Sequence, residues 1–191
     1  MPQLQGVGNK LTQPLYDTVQ IAAAGGPRTF NFFSVPLNGV LVGTTLKTLA
    51  ETNLVQAGKL ESGSSFEIQA LSWYIHEEIA AGTRPVLVDY IELGGGFIEL
   101  KFGTKAFLQL KSAQVPGGGA ELSYYSNIAA AATEYHVNRG VNTIQNRFYL
   151  DNPILIQNNE SFRVEFTVPS TTTVIMDVTM TLWGDLVAPV N

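Results

Sequence analysis

Apolar and polar positions alternate with a period of two through the last fifth of the chain. In Phe162-Arg163-Val164-Glu165-Phe166-Thr167-Val168 the phenylalanines and valines fall on one side, and Arg163, Glu165 and Thr167 on the other. That is the signature of a strand with one wet face. Residues 174–183 repeat the pattern, with Val174, Met176, Val178, Met180 and Leu182 opposed to Ile175, Asp177, Thr179 and Thr181. Phe148-Tyr149-Leu150 and Ile154-Leu155-Ile156 are shorter β-branched, aromatic and aliphatic runs, each bounded by turn formers.

Earlier segments carry the same punctuation. Residues 15–21 alternate as a first strand, 29–35 form a second that Pro36 stops, and Asn38-Gly39 marks a turn before Val40-Leu41-Val42. Residues 45–55 suit either a helical turn or an extended segment. In 65–76, Phe66, Ile68 and Ala70 share one parity while Leu71, Trp73 and Ile75 share the other. A switch of parity there predicts a β-bulge, or a strand buried on both faces. Residues 97–102 and 106–110 predict a hairpin around Gly103-Thr104, and 85–93 suit a strand or a short helix. The longest region without strand character is a loop over about 113–147, and its alanine run at 129–132 leaves room for a short helix within 121–135. Loops of that length carry a function or an interface of their own.

Together these elements predict an all-β, antiparallel β-sandwich. A chain of 191 residues suits one substantial domain, here residues 15–187, preceded by an arm at 1–14 and followed by a tail at 188–191. Only 14% of the residues are charged against 45% hydrophobic, so Thr, Ser, Asn, Gln and Gly cover much of the surface. The net charge is −5 and the eleven Lys and Arg residues are scattered, which disfavours direct binding to nucleic acid, since neutralising phosphates needs a concentrated basic patch. Cysteine is absent, removing disulfides and thiolate chemistry together. The pattern predicts neither a secretion signal nor a membrane-spanning segment, for no run approaches roughly 18 apolar residues.

Catalytic constellations are sought and not found, so the chain is read as a non-enzyme without metal or cofactor. His76 and His136 are the two histidines, too few for a three-histidine metal centre. His76-Glu77-Glu78 begins like a zinc-protease helix, but Ala80 stands where the second histidine belongs and the segment ends a strand. Gly94-Gly95-Gly96 and Gly117-Gly118-Gly119 lack the Lys-Ser/Thr of a phosphate loop and read as tight turns. No pair of carboxylates is placed across a cleft. Trp73 and Trp183 lie within strong strands and are expected in the core.

Residues 30–36, Thr52-Asn53-Leu54 with Gly58-Lys59-Leu60, 65–75, 148–153, Glu160-Ser161-Phe162-Arg163-Val164 and Trp183-Gly184 give the chain its resemblance to single jelly-roll viral coat proteins, particularly those of icosahedral bacterial viruses. The resemblance spans most of the chain and rests on pattern rather than on a diagnostic motif. It implies an eight-stranded jelly roll of two four-stranded sheets, and self-assembly of identical copies into a closed shell within a virion assembled in the host cytoplasm. Coat proteins that touch genome often have a basic arm; here Lys10 is balanced by Asp17, so the expected partners are copies of the chain, other virion proteins or an internal membrane. The candidate interface residues are Leu4 and Leu11 in the arm, Leu37 and Val40 at the first turn, and Tyr124, Tyr125, Tyr135 and Arg139 in the long loop. The alternative from another class is a jelly-roll carbohydrate- or receptor-binding module, with the same tyrosines stacking on sugars.

Overall fold

A computed structural model describes residues 9–23, 25–76, 95–115, 123–127, 134–138, 147–169, 172 and 175–188. Within them the strands are β1 (Asn9–Thr12), β2 (Leu15–Ile21), β3 (Arg28–Phe32), β4 (Val40–Val42), β5 (Thr45–Leu46), β6 (Ser65–His76), β7 (Phe97–Phe102), β8 (Lys105–Lys111), β9 (Ser123–Asn127), β10 (Glu134–Asn138), β11 (Phe148–Gln157), β12 (Phe162–Val168) and β13 (Met176–Ala188). All pairings are antiparallel.

Two sheets carry the fold. The first runs β1-β13-β6-β11, with β2 alongside β1 on the same flank of β13; the second runs β3-β12-β7-β8. Leaving out β1 and the small ribbons β4-β5 and β9-β10, the pairing is nested. β2 pairs with β13, β3 with β12, β6 with β11, and β7 with β8. Every connection between these successive strands crosses from one sheet to the other, except the tight turn from β7 to β8.

The inward faces follow the alternation read from the sequence. Phe162, Val164, Phe166 and Val168 of β12 are buried, as are Met176, Val178, Met180 and Leu182 of β13. Phe166 joins the layers, with its ring centroid 6.5 Å from Phe32 and 5.8 Å from Trp73 of the opposite sheet. The Trp73 indole N–H is satisfied inside this core by the carbonyls of Ser112 and Val115, at 3.2 and 2.9 Å. The parity switch in β6 coincides with a register shift against β13, between Ala70 opposite Trp183 and Ile68 opposite Gly184. The extra residue is what moves the core side chains from Phe66 and Ile68 onto Leu71 and Trp73.

Several expectations are corrected. The described residues form thirteen strands, because the arm and two connections add strands of their own to the eight of the nested pairing. Residues 113–147 were expected as a loop with room for a helix, yet β9 and β10 pair there, with Tyr124 opposite Val137 and Tyr125 opposite His136. Tyr and Val favour a pleated pairing; the alanine run at 129–132 lies outside the described residues. The runs 148–150 and 154–156 belong to one strand; Pro153 interrupts its pairing with β6 between Tyr149 and Ile154, a disruption tolerated on an edge strand. Trp183 is not in the core. It projects from the opposite face of β13, half-buried, donating its N–H to Ser72 Oγ at 2.8 Å under the Arg147 guanidinium, 3.4 Å from the ring centroid.

Candidate assembly surfaces

Between β3 and β6 the chain makes a long excursion, residues 33–64, that folds over the free flank of β2. Asn53 donates its amide to Pro14 O at 2.8 Å and accepts from Tyr16 N at 3.1 Å, while Thr52 Oγ1 donates to Tyr16 O at 3.2 Å. These contacts occupy backbone groups that an uncovered sheet edge would offer to other chains.

Beneath the excursion lies its principal anchor. Lys47 is clamped by its backbone, its N–H donating to Gly39 O at 2.8 Å and its carbonyl accepting from Asn38 N at 2.9 Å. Its side chain therefore points inward, where Nζ reaches Asp17 Oδ1 at 2.6 Å, and both residues are buried. Asp17 Oδ2 accepts the backbone N–H of Phe33 at 2.6 Å. Burial raises the Asp17 carboxyl above its ordinary value of 3.8, with Lys47, the Phe33 N–H and the Thr52 hydroxyl pulling it back. Lys10, the single cation of the arm, has Nζ 3.0 Å from Asp185 and 3.5 Å from Glu67.

Phe33 itself has a positive φ of 65°, a strained conformation for a bulky residue. It is held from three sides. Its N–H goes to Asp17, its carbonyl accepts from Gly58 N at 2.7 Å, and its ring packs 5.5 Å from Phe162. The excursion is consequently rigid at its root while its outer ribbon is apolar: Val40, Val42, Leu46 and Leu49 are 52%, 43%, 49% and 65% exposed. Clustered apolar exposure on one element marks a contact surface more than scattered residues do.

The arm is tied to the first sheet through Asp185. Thr12 Oγ1 donates to Asp185 Oδ1 and Gln69 Nε2 to Asp185 Oδ2, each at 2.7 Å. Leu11, opposite Leu186 in register, is exposed. A cavity of about 180 Å³ opens where β1 gives way to β2, lined in part by Gln13, Leu15, Leu54, Lys59, Ser64 and Leu186. It falls below the roughly 300 Å³ at which small-molecule sites begin.

Of the candidate interface residues, the structure places Leu11 and Val40 exposed on strands β1 and β4, and Leu37 half-buried between them in the excursion, its N–H bonded to Leu54 O at 2.8 Å. Tyr124, Tyr125 and Tyr135 are brought together on the β9-β10 ribbon by its register; their side chains, with Leu4 and Arg139, lie outside the described residues. Sequence reasoning missed Leu46 and Leu49, since nothing local separates them from a buried turn.

The outward face of the second sheet carries a cross-strand charge network. Glu165 sits opposite Glu99 in register, a repulsive pairing. Lys101 Nζ relieves it by lying 2.6 Å from Glu165 and 3.0 Å from Glu99. Lys101 and Arg163 hold the Glu165 carboxyl below its ordinary value of 4.5, and Gln109 with Lys101 does the same for Glu99. Carboxyls with lowered folded values contribute stability above pH 4.5 that is lost as pH falls through those values. Lys101→Met is expected to flatten the acid side of a plot of melting temperature against pH; an unchanged slope would remove this network from the account.

Among the described residues no group of three His, Asp or Glu side chains could hold a metal ion, and no helix is long and apolar enough to cross a membrane. Compared with known proteins, the chain matches no family model, no curated protein and no solved structure.

Proposed function

We propose that this chain is a structural subunit of the single jelly-roll coat type, assembling with copies of itself into a closed shell of a virion. The observation that carries the reading is the nested pairing of first with last, second with second-last, third with third-last and fourth with fifth strand. Such an order arises when one long antiparallel ribbon is rolled over itself, which is the jelly-roll arrangement. The two rows, β2-β13-β6-β11 and β3-β12-β7-β8, are its two four-stranded sheets. Fold alone does not assign a function; the exposed surface supports the reading. Exposed apolar side chains sit on the β4-β5 ribbon and the arm, where contacts between copies of about 800 Å² per partner would form.

The test is assembly of the untagged chain, followed by light scattering and negative-stain microscopy at several salt concentrations. Shells, tubes or capsomer-sized rings are expected. A stable monomer or trimer would overturn the reading and lead to the glycan-binding alternative. Deletion of residues 1–13 removes β1 and its bonds to Asp185 but leaves the core from Leu15 onward. The truncated chain is therefore expected to stay folded and assemble poorly, and intact particles from it would deny the arm a role.

A further inference from the structure

We propose that Lys47 and Asp17 condense spontaneously to an intramolecular amide, covalently fastening the 33–64 excursion to strand β2. Three features of the site supply the chemistry. The nucleophile and the carboxyl are already in contact, Nζ lying 2.6 Å from Oδ1, so the two groups do not have to be brought together from solution. Both side chains are buried, 2% and 0% exposed, so the water that would reverse the step is excluded. The second carboxyl oxygen accepts the Phe33 N–H at 2.6 Å, where that donor faces the charge of a tetrahedral intermediate.

The step balances within the pair. One proton passes from the ammonium to Oδ1, the carboxyl being already raised above its ordinary value by burial, leaving a neutral amine beside a neutral acid. The amine lone pair attacks Cγ, and the charge developing on Oδ2 is met by the Phe33 N–H. Nζ then gives up a second proton to Oδ1, the Cγ–Oδ1 bond breaks, and water leaves. The product is a neutral amide whose carbonyl oxygen, the former Oδ2, keeps its hydrogen bond to Phe33. No oxidant, metal or further acid is consumed. In a chain without cysteine, this supplies a covalent tie between segments 30 residues apart, directly behind the exposed apolar ribbon, whether or not the chain builds a shell.

Intact mass of the full-length chain, measured under denaturing conditions when fresh and after prolonged incubation, tests the proposal. The expected result is a mass lower by one water, with a tryptic map joining the Asp17 peptide to the Lys47 peptide. Lys47→Met should abolish both. A mass at the sequence value, with Lys47 labelled by an amine reagent after unfolding, would overturn it, as would a water loss that persists in Lys47→Met. Should that variant fail to fold, the peptide map of the native chain still decides.

Discussion

Gly184→Ala is expected to lower stability by at least about 3 kcal/mol, the range of severe packing lesions. Gly184 lies where β13 meets three things at once: the shift in its register with β6, the break between β1 and β2, and the N–H of Gln13, which donates to its carbonyl at 3.2 Å. A Cβ placed there would stand 1.9 Å from Glu67 O and 2.9 Å from Glu67 C. Both are backbone atoms of the paired strand, so no side chain can rotate to relieve the clash, and β6 would have to leave β13 along its bulge. Gly103 provides the contrast. It has a positive φ of 56° in the β7-β8 turn, and a Cβ there would meet nothing within 4 Å. Gly103→Ala should therefore cost only the left-handed backbone penalty of roughly 1–2 kcal/mol. Urea unfolding of the two variants separates close approach from conformational strain, and equal midpoints would contradict the packing account.

The strands were legible because alternation is local. β2, β6, β7 and β12 stand at the residues their patterns mark, and the parity switch at Ala70-Leu71 pointed to the bulge. Strand order was not legible, since pairing β2 with β13 joins segments more than 150 residues apart without a local trace. Trp183 was misplaced for a related reason. Its parity opposes that of Met180 and Leu182, which put it on the outer face, but an aromatic residue at the end of an apolar run draws attention away from parity. The buried pair left one unused signal: Leu15, Asp17, Val19 and Ile21 share the inward parity of β2, and a carboxylate among them requires a buried partner. Lys47, flanked by the uncharged Thr44-Thr45-Leu46 and Thr48, gave no sign from its own side. The apolar exposure of Leu46, next to the inward-turned Lys47, was hidden with it.

Removing either member of the buried pair is expected to cost about 3–5 kcal/mol, because the survivor is left charged in a dry site. The two losses should not be equal. In Lys47→Met the Asp17 carboxyl keeps the Phe33 N–H, and since burial already raises its pKa, protonation relieves its charge. In Asp17→Ala the ammonium loses its carboxylate, the Phe33 N–H loses its acceptor, and the positive φ of Phe33 loses one of the contacts that enforce it. Asp17→Ala should therefore be the more damaging. The double variant should cost less than the sum of the two, since the second substitution removes the group that the first one stranded. The excursion ought to respond before the sandwich does. Its backbone bonds, from Leu37 to Leu54 and from Asn38 to Lys47, are expected to lose hydrogen-exchange protection in either single variant, while β12 and β13 retain theirs. Strictly additive unfolding free energies, or uniform loss of protection across both sheets, would show that the pair does not anchor this excursion.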